Sequence, residues 1–333
     1  MDITVIWAAI IALGVFLYVV LDGFDLGIGI VFPFFPDERE RDLMMNTVAP
    51  VWDGNETWLV LGGAGLFAAF PIVYSTVLSA LYLPLVLMLA CLIFRGVSFE
   101  LRAKANRTKY LWDLAFIGGS TGAAFFQGIA LGAFLQGLPV ENGHFAGSAF
   151  DWLSPFTLLT GLGVVVTYAL LGCCWLVAKT DGDLQRRLHR VVWPLTVVLL
   201  GFVVVVSLWT PLQSPEIAGR WFDSGLLRRL LPVPFLVAAC TVWMRHAVRN
   251  RHHTTPFIAA IGLVLLGYVG LLVSLWPYAI PHSVTLWEAA APRSSQVFTL
   301  VGAAVILPVI VAYTTLGYWV FRGKVSHADH HYH

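Results

Sequence analysis

The stretch ITVIWAAIIALGVFLYVVLDGFDLGIGIVF, residues 3–32, decides the fold, because it is a continuous apolar run with two aspartates inside it. About twenty apolar residues already suffice to cross a bilayer as a helix. A carboxylate at such a depth costs about 3 kcal/mol or more unless it is paired, hydrated or protonated. Asp22 and Asp25 are spaced to lie on one face of the predicted helix. The pattern predicts a membrane helix whose acids handle protons.

The rest of the chain has the composition of a membrane protein. Its 333 residues are 58% hydrophobic and only 12% charged, with a mean hydropathy of +0.79. Soluble domains average about 25% charged residues, so a soluble enzyme is excluded. The formal net charge is +1, and no long basic tract indicates binding to nucleic acid. All four cysteines stand in apolar runs, where we expect them to be buried as small hydrophobic residues.

Nine transmembrane helices are predicted from the apolar runs. The loops after the odd-numbered helices hold 16 of the 20 Lys and Arg residues. By the positive-inside rule, the N-terminus is then outside and the C-terminus cytoplasmic. We therefore predict an all-α, polytopic membrane domain over residues 1–322, followed by a His-rich cytoplasmic tail at 323–333. The predicted spans are 3–32, 54–71, 75–97, 111–136, 154–178, 189–210, 230–248, 256–279 and 296–321.

The acids of the first helix allow two interpretations. Gly23, Gly27 and Gly29 thin the helix around them, so that another backbone or a file of water can approach. In the functional interpretation, Asp25 or Asp22 relays protons, and Asp25 is favoured because it lies within the glycine run. In the structural interpretation, each acid is hydrogen-bonded or ion-paired to a neighbouring helix.

A second polar block, NTVAPVWDGNETW at residues 46–58, precedes the second predicted span. Asp53 is placed to cap this helix, and Glu56, three residues later, could complete a capping box. Alternatively, Asp53 or Glu56 forms the cytoplasmic mouth of a proton path to a deeper site. Two acids, an asparagine and two tryptophans exceed what capping requires, and the sequence leaves both interpretations open.

The third block is RGVSFELR, residues 95–102, at the cytoplasmic end of the third predicted span. Glu100 and Lys104 have the spacing of a helical i,i+4 ion pair. Arg95 could extend to the membrane surface or neutralise an acid of another helix. The simpler interpretation is that Arg95, Glu100 and Arg102 form an interfacial charge cluster that anchors the helix.

The ten histidines argue against a haem in this chain. None lies near the centre of a predicted span, and Met88 is the only methionine in a mid-span position. Haem in a helical bundle usually needs axial His, Met or Cys ligands. We therefore expect no metal ligand here, which disfavours a self-sufficient membrane cytochrome. A proton-coupled secondary transporter is the alternative function that the buried acids and glycines allow.

Taken in order, these blocks resemble subunit II of the cytochrome bd-type quinol oxidases, the CydB family. The matching stretches are LDGFDLGIG at 21–29, MMNTVAPVWDGNETW at 44–58 and the block at 95–102. Within this family, the chain is most similar to the cyanide-insensitive branch, CioB. This similarity rests on two stretches, WDGNETWLVLGG at 52–63 and FIGGSTGAAFFQG at 116–128.

The resemblance implies an electron-transport subunit that performs no chemistry alone. Its fold would be two four-helix bundles and one peripheral helix, without haem. A partner of the CydA or CioA type, subunit I, would carry haems b and haem d. Together the subunits would oxidise quinol and reduce O2 to water in the bacterial cytoplasmic membrane, surrounded by lipid. The resemblance leaves open whether this chain binds a structural quinone and whether a small single-span accessory subunit joins the complex.

The resemblance also assigns roles to residues. The acids of the GFD and WDGN blocks, Asp25 and Asp53, would belong to a proton route toward the haem site of subunit I. Asp22 and Glu56 are further candidates for this route, although the position of Glu56 is not always acidic in the family. Trp58 would lie where some members admit oxygen from the membrane.

Overall fold

The computed structural model describes residues 2–141, 144–213, 218–219, 221 and 232–325. Helices make up most of this part of the chain. Two short antiparallel hairpins accompany them, pairing β1 (Val140–Glu141) with β2 (His144–Phe145) and β3 (Tyr278–Ile280) with β4 (Val284–Thr285). The helices are α1 (Ile3–Val31), α2 (Glu38–Asn46), α3 (Trp52–Ala69), α4 (Pro71–Ala80), α5 (Tyr82–Lys104), α6 (Lys109–Gln136), α7 (Pro155–Lys179), α8 (Gly182–Gln213), α9 (Pro232–Arg249), α10 (Thr255–Leu275), α11 (Leu286–Ala289) and α12 (Arg293–Val320).

Seven helices of the described part are long and apolar enough to cross a bilayer, namely α1, α5, α6, α7, α8, α10 and α12. The chain is therefore an all-α, multi-pass membrane protein. Helices α3 and α9 have 18 residues each and lie where two further spans were predicted, but they are not among these seven.

Two predicted span boundaries are wrong. The third span, predicted at 75–97, is divided between α4 and α5, which meet at Leu81. Pro84 lacks the N–H that a continuous helix would need at this point, so the chain turns and α5 then runs on to Lys104. The eighth span, predicted to end at 279, ends at Leu275, because Pro277 and the β3–β4 hairpin follow.

The first helix lies at the centre of the fold, where it packs against α3, α6 and α7. A Cβ on Gly27 would lie only 1.8 Å from the backbone oxygen of Tyr168, and Gly172 of α7 faces Gly27 in turn. Only glycine allows two helix backbones to approach so closely. This contact brings the aspartates of α1 deep into the bundle rather than to its lipid-facing surface.

One end of the bundle holds most of the charged side chains, and we call it the charged end. Here α1, α5, α7, α9 and α12 finish and α3, α6, α8 and α10 begin. The short helix α2, which the sequence did not predict, also lies at this end. The chain after α12 contacts the end of α7, where Lys179 Nζ donates to the backbone oxygen of Phe321 over 2.5 Å. Of the predicted tail, residues 326–333 lie outside the described part of the chain.

Candidate functional site

Arg95 of α5 contacts three acids that belong to two other helices, α1 and α3. Its guanidinium lies 2.6 Å from a carboxylate oxygen of Asp22, 3.6 Å from one of Asp25 and 2.6 Å from one of Glu56. Arg95, Asp22 and Asp25 are at most 1% exposed, whereas the Glu56 side chain is 29% exposed. The site is thus a buried charge cluster with one member that reaches the surface, and Arg95 neutralises acids of other helices as one sequence interpretation expected.

Asp25 is held from a second direction by α3. The side-chain amide of Asn55 donates to a carboxylate oxygen of Asp25 over 2.8 Å, and the Tyr318 hydroxyl of α12 donates to the Asn55 carbonyl oxygen over 2.8 Å. Asn55 is 1% exposed. One amide therefore connects the first, third and last helices at the buried acid.

A further polar chain begins next to Asp22. Tyr18 is one helical turn before Asp22 on the same face of α1. The Gln127 amide of α6 donates to the Tyr18 hydroxyl over 2.6 Å, and the Tyr168 hydroxyl of α7 donates to Gln127 over 2.7 Å. The cluster thus continues as a hydrogen-bonded line toward α6 and α7.

Aromatic rings enclose the cluster. Trp52 and Phe99 stack on each other with their centroids 5.0 Å apart, and each ring lies 5.5 Å from the Arg95 guanidinium carbon. On the far side of α1, Phe24 stacks on Trp175 at 4.2 Å. Apolar walls of this kind exclude water and strengthen electrostatic interactions inside them.

The capping-box interpretation of Asp53 and Glu56 is wrong. Helix α3 begins after Val51, which serves as N-cap without a side-chain hydrogen bond, so Asp53 already lies in the first turn. Glu56 turns inward and binds Arg95, while Asp53 is exposed. The structure therefore places Glu56, and not Asp53, in contact with the buried cluster.

The interfacial cluster predicted for Arg95, Glu100 and Arg102 is also wrong. The period of α5 places residues 95 and 102, two turns apart, on its buried face and Glu100 on its exposed face. Arg95 is fully buried and Arg102 is 4% exposed. Glu100 pairs only with Lys104, at 3.7 Å and with both side chains more than 70% exposed, which confirms the predicted i,i+4 pair.

Arg102 belongs to a second charge cluster, which fastens α2 to α5 and α6. It binds Asp113 of α6 and, at 2.5 Å, Asp42 of α2. Arg41 reaches Asp113 at 2.8 Å, and Lys109 reaches Asp42 at 3.1 Å. Burial alone would raise the pKa of Asp42, but the hydrogen bonds from Arg102 and Lys109 outweigh it, and the pKa lies below its ordinary value.

Several residues of these networks were missed in the sequence. Gln127 and Tyr168 stand in apolar spans, and a lone amide in the middle of a span is a signal for a buried hydrogen bond. Asn55 was noted only as part of a dense block, and Tyr318 was not noticed.

Trp58, the candidate for oxygen entry, is 2% exposed and lies close to Gly14 of α1. In the described part of the chain, no group of three or more His, Cys, Asp or Glu side chains could hold a metal ion.

Comparison with known proteins decides the family. The family model described as cytochrome bd terminal oxidase subunit II matches residues 3–321. The chain belongs to this family. It is similar to cytochrome bd ubiquinol oxidase subunit 2 of Bacillus subtilis, with 30% identity over 98% of this chain and 97% of the relative. It is 28% identical to cytochrome bd-I ubiquinol oxidase subunit 2 of Escherichia coli K12, over 97% and 95% of the two chains.

The fold agrees with the family. The solved structure of bd oxidase from Geobacillus thermodenitrificans matches 97% of this chain and 100% of its own, with a TM-score of 0.80 and 17% identity. The chain is therefore subunit II of a bd-type quinol oxidase, an oxidoreductase complex, as the resemblance implied. These relatives give no support to the transporter alternative. They do not separate the cyanide-insensitive branch from the others, so that assignment stays a prediction.

Proposed function

We propose that this chain supplies protons to the oxygen-reducing site of the complex through the Arg95 cluster. The observation that carries the proposal is the position of Arg95, which touches the partly exposed Glu56 and the buried Asp22 at the same distance of 2.6 Å. Only the Arg95 guanidinium then separates a proton that enters at Glu56 from the two buried acids, Asp22 and Asp25. No other charged pair in the described chain joins the surface to α1 in this way.

The charge balance of the cluster suits a relay. Three carboxylates share one guanidinium, so the cluster is net negative when every acid is ionised. Adjacent buried carboxylates repel one another, and a bound proton relieves that repulsion. Asp22 Oδ2 and Asp25 Oδ1 are buried and have no hydrogen-bond partner among the described residues, so each can take a proton without breaking a bond.

We infer two continuations for the proton. One runs from Asp22 past Tyr18 to Gln127 and Tyr168, whose side chains are linked by hydrogen bonds. The other ends at Asp25, where Asn55 fixes the carboxylate. Asp53 lies at the start of α3, where it can collect protons for Glu56, and Trp58 stays a predicted point of oxygen entry.

The number of membrane-spanning helices and their orientation are part of the same proposal. With α3 and α9 counted as spans, nine helices cross the membrane, arranged as two four-helix bundles and a peripheral helix. The excess of Lys and Arg at the charged end then makes that end cytoplasmic and the N-terminus external, in the bacterial cytoplasmic membrane. The mouth of the path would open toward the cytoplasm, the side from which the protons are drawn.

Redox chemistry is assigned to the partner. We propose that subunit I carries haems b and d and the quinol site, and that this chain stabilises it. A structural quinone and a small accessory subunit stay predictions. A groove of about 430 Å³ between the end of α1, α7 and α8 is apolar except for Arg187, so its residues fit an isoprenoid tail but give a quinone head only one polar partner.

Glu56→Gln tests the entry point, with Asp53→Asn as the matched variant. Both remove one acid from the start of α3 without changing shape, but only Glu56 contacts Arg95. We expect oxygen consumption by the intact complex to fall about 100-fold or more in Glu56→Gln and less than threefold in Asp53→Asn, because a single proton-transfer group typically contributes about 10²–10⁴-fold. The reverse order would move the entry to Asp53, and unchanged rates in both would remove the path.

The assignment of the haems to subunit I can be tested separately. An absorption spectrum of the purified complex should show haem that stays with the larger partner when the two subunits are separated. Haem that stays with this chain would contradict the assignment, whatever the proton variants show.

A further inference from the structure

A basic surface at the charged end lacks the acids that accompany basic residues elsewhere. It is formed by Arg190 of α8, Arg245 and Arg249 of α9, and Arg251 of the α9–α10 loop, all exposed. None of these four arginines forms an ion pair with a described residue, in contrast to the interleaved charges of α2, α5 and α6. The sequence explains the contrast, since residues 184–215 and 232–287 contain neither Asp nor Glu.

This surface is held in place by contacts across the helices. The guanidinium of Arg245 lies 5.1 Å from the ring centroid of Trp193, which is one turn beyond Arg190 on α8. Nearer the start of α8, Gln185 Nε2 lies 3.0 Å from His253 Nδ1 in the α9–α10 loop. The arginines of α8, α9 and the loop are thus brought to one side of the bundle end.

A buried histidine lies near Arg251. His189 of α8 is only 8% exposed, and neither of its ring nitrogens has a hydrogen-bond partner in the described part of the chain. Its electrostatic neighbours are His253 and Arg251. An imidazole enclosed among basic groups, with donor capacity unused, is suited to an anion and not to a cation.

We propose that this surface binds the phosphate of an anionic phospholipid, with Arg245 and Arg251 as its principal contacts. Basic pockets at the cytoplasmic ends of membrane helices recognise phosphate head groups in this way. Val242 and Trp243 lie on α9 within one turn of Arg245 and are 68% and 44% exposed, so they can pack against the acyl chains. Charges needed only for membrane orientation would require neither the tryptophan contact nor the buried histidine.

The intact complex in phosphatidylcholine nanodiscs provides the test, with phosphatidylglycerol added in steps and bound lipid counted by native mass spectrometry. The variant Arg245→Gln/Arg251→Gln is compared with Arg39→Gln/Arg107→Gln, which removes two exposed arginines of the same end but outside the surface. Each basic residue near the membrane surface contributes about 1 kcal/mol to the binding of an anionic lipid. Because the first variant loses two such residues, we expect it to bind phosphatidylglycerol about 30-fold more weakly. The control variant should change by less than threefold.

Other outcomes would overturn the proposal. Equal losses in both variants would mean that only net charge matters, and no loss in either would leave the surface without a lipid. Displacement of the lipid by millimolar inorganic phosphate would indicate a site for a free anion. Retention of an acidic protein, with no lipid retained, would indicate a protein partner.

A second measurement covers the case in which the variant fails to assemble. Wild-type complex is photolabelled with a phosphatidylglycerol that carries a diazirine in its head group, and the labelled peptides are mapped. Labelling at residues 245–253 supports the site, and labelling only elsewhere refutes it. Neither experiment depends on the proton path, because neither reads oxygen reduction.

Discussion

Replacing Asp25 by asparagine separates the proton role of the buried cluster from its structural role. Asparagine has almost the same shape and removes one ionisable group. Asp25 is fully buried, accepts a hydrogen bond from Asn55 at 2.8 Å and lies 3.6 Å from Arg95. Because the closer contacts of Arg95 go to Asp22 and Glu56, Asp25 is the acid that can lose its charge with least effect on the ion pairs.

The distances give the magnitude. With an effective dielectric constant of about 20, the Arg95–Asp25 attraction is about 4.6 kcal/mol, against about 6.4 kcal/mol for Arg95–Asp22, before desolvation is subtracted. Asparagine keeps an oxygen that can accept from Asn55, so the folding cost is limited to the charge assistance of one hydrogen bond, about 1.5–3 kcal/mol at most. Loss of a relay group, in contrast, should slow turnover by about 100-fold or more.

The assay is oxygen consumption by the purified complex at saturating quinol, read together with its haem spectrum and melting temperature. Glu100→Gln serves as control, because Glu100 is 71% exposed and pairs only with Lys104. We expect Asp25→Asn to combine slow turnover with nearly normal haem content. Unchanged turnover with full haem would remove Asp25 from the path, and loss of haem would make it a structural residue.

Three further predictions follow from the packing and the charges. Gly27→Ala should cost about 1–3 kcal/mol or more and lower the yield of complex, because the added methyl meets the backbone of α7; Gly63→Ala, with open space around it, is the control, and equal melting temperatures would contradict the packing argument. Tyr318→Phe should lower turnover by a few fold with haem retained, since Asn55 then loses one of its partners, and an unaltered rate would show that α12 does not help to orient the acid. The folded pKa of Asp42 lies below 3.8, so its contribution to holding α2 is complete above about pH 4 and is lost as the pH falls through the folded value; the protection of the α2 amides against hydrogen exchange, taken relative to their intrinsic rates, should fall there, and protection that does not change with pH would refute this.

The helical bundle could be predicted from the sequence because the bilayer demands long apolar helices. Helix α2 could not, since its stability comes from ion pairs with α5 and α6 and not from apolar periodicity. The break at Leu81 was hidden inside a uniformly apolar run, where hydropathy does not register the missing N–H of Pro84.

The cluster was predicted in part. Asp22 and Asp25 were recognisable because acids are rare in apolar spans. Arg95 was misread because it stands near the end of the predicted span, where arginine is usual, and only its ion pairs with Asp22 of α1 and Glu56 of α3 show that it lies inside the bundle. Asn55 and Tyr318 meet across 263 residues of sequence, a contact that no local pattern encodes.

The pairing of Arg95 with Asp22 has a consequence for biogenesis. The two residues are 73 positions apart, so α1 leaves the ribosome before its cation has been synthesised. At about 5–20 residues per second, the delay lasts about 4–15 seconds. An aspartate at the very centre of a membrane helix opposes insertion by about 2.5–3.5 kcal/mol, whereas each Leu, Ile, Phe or Val there favours it by about 0.3–0.6 kcal/mol, and α1 has seventeen of these apolar residues. Because α1 is long and apolar, the nascent helix can enter the bilayer before Arg95 has been synthesised, and the ion pair with Asp22 forms later.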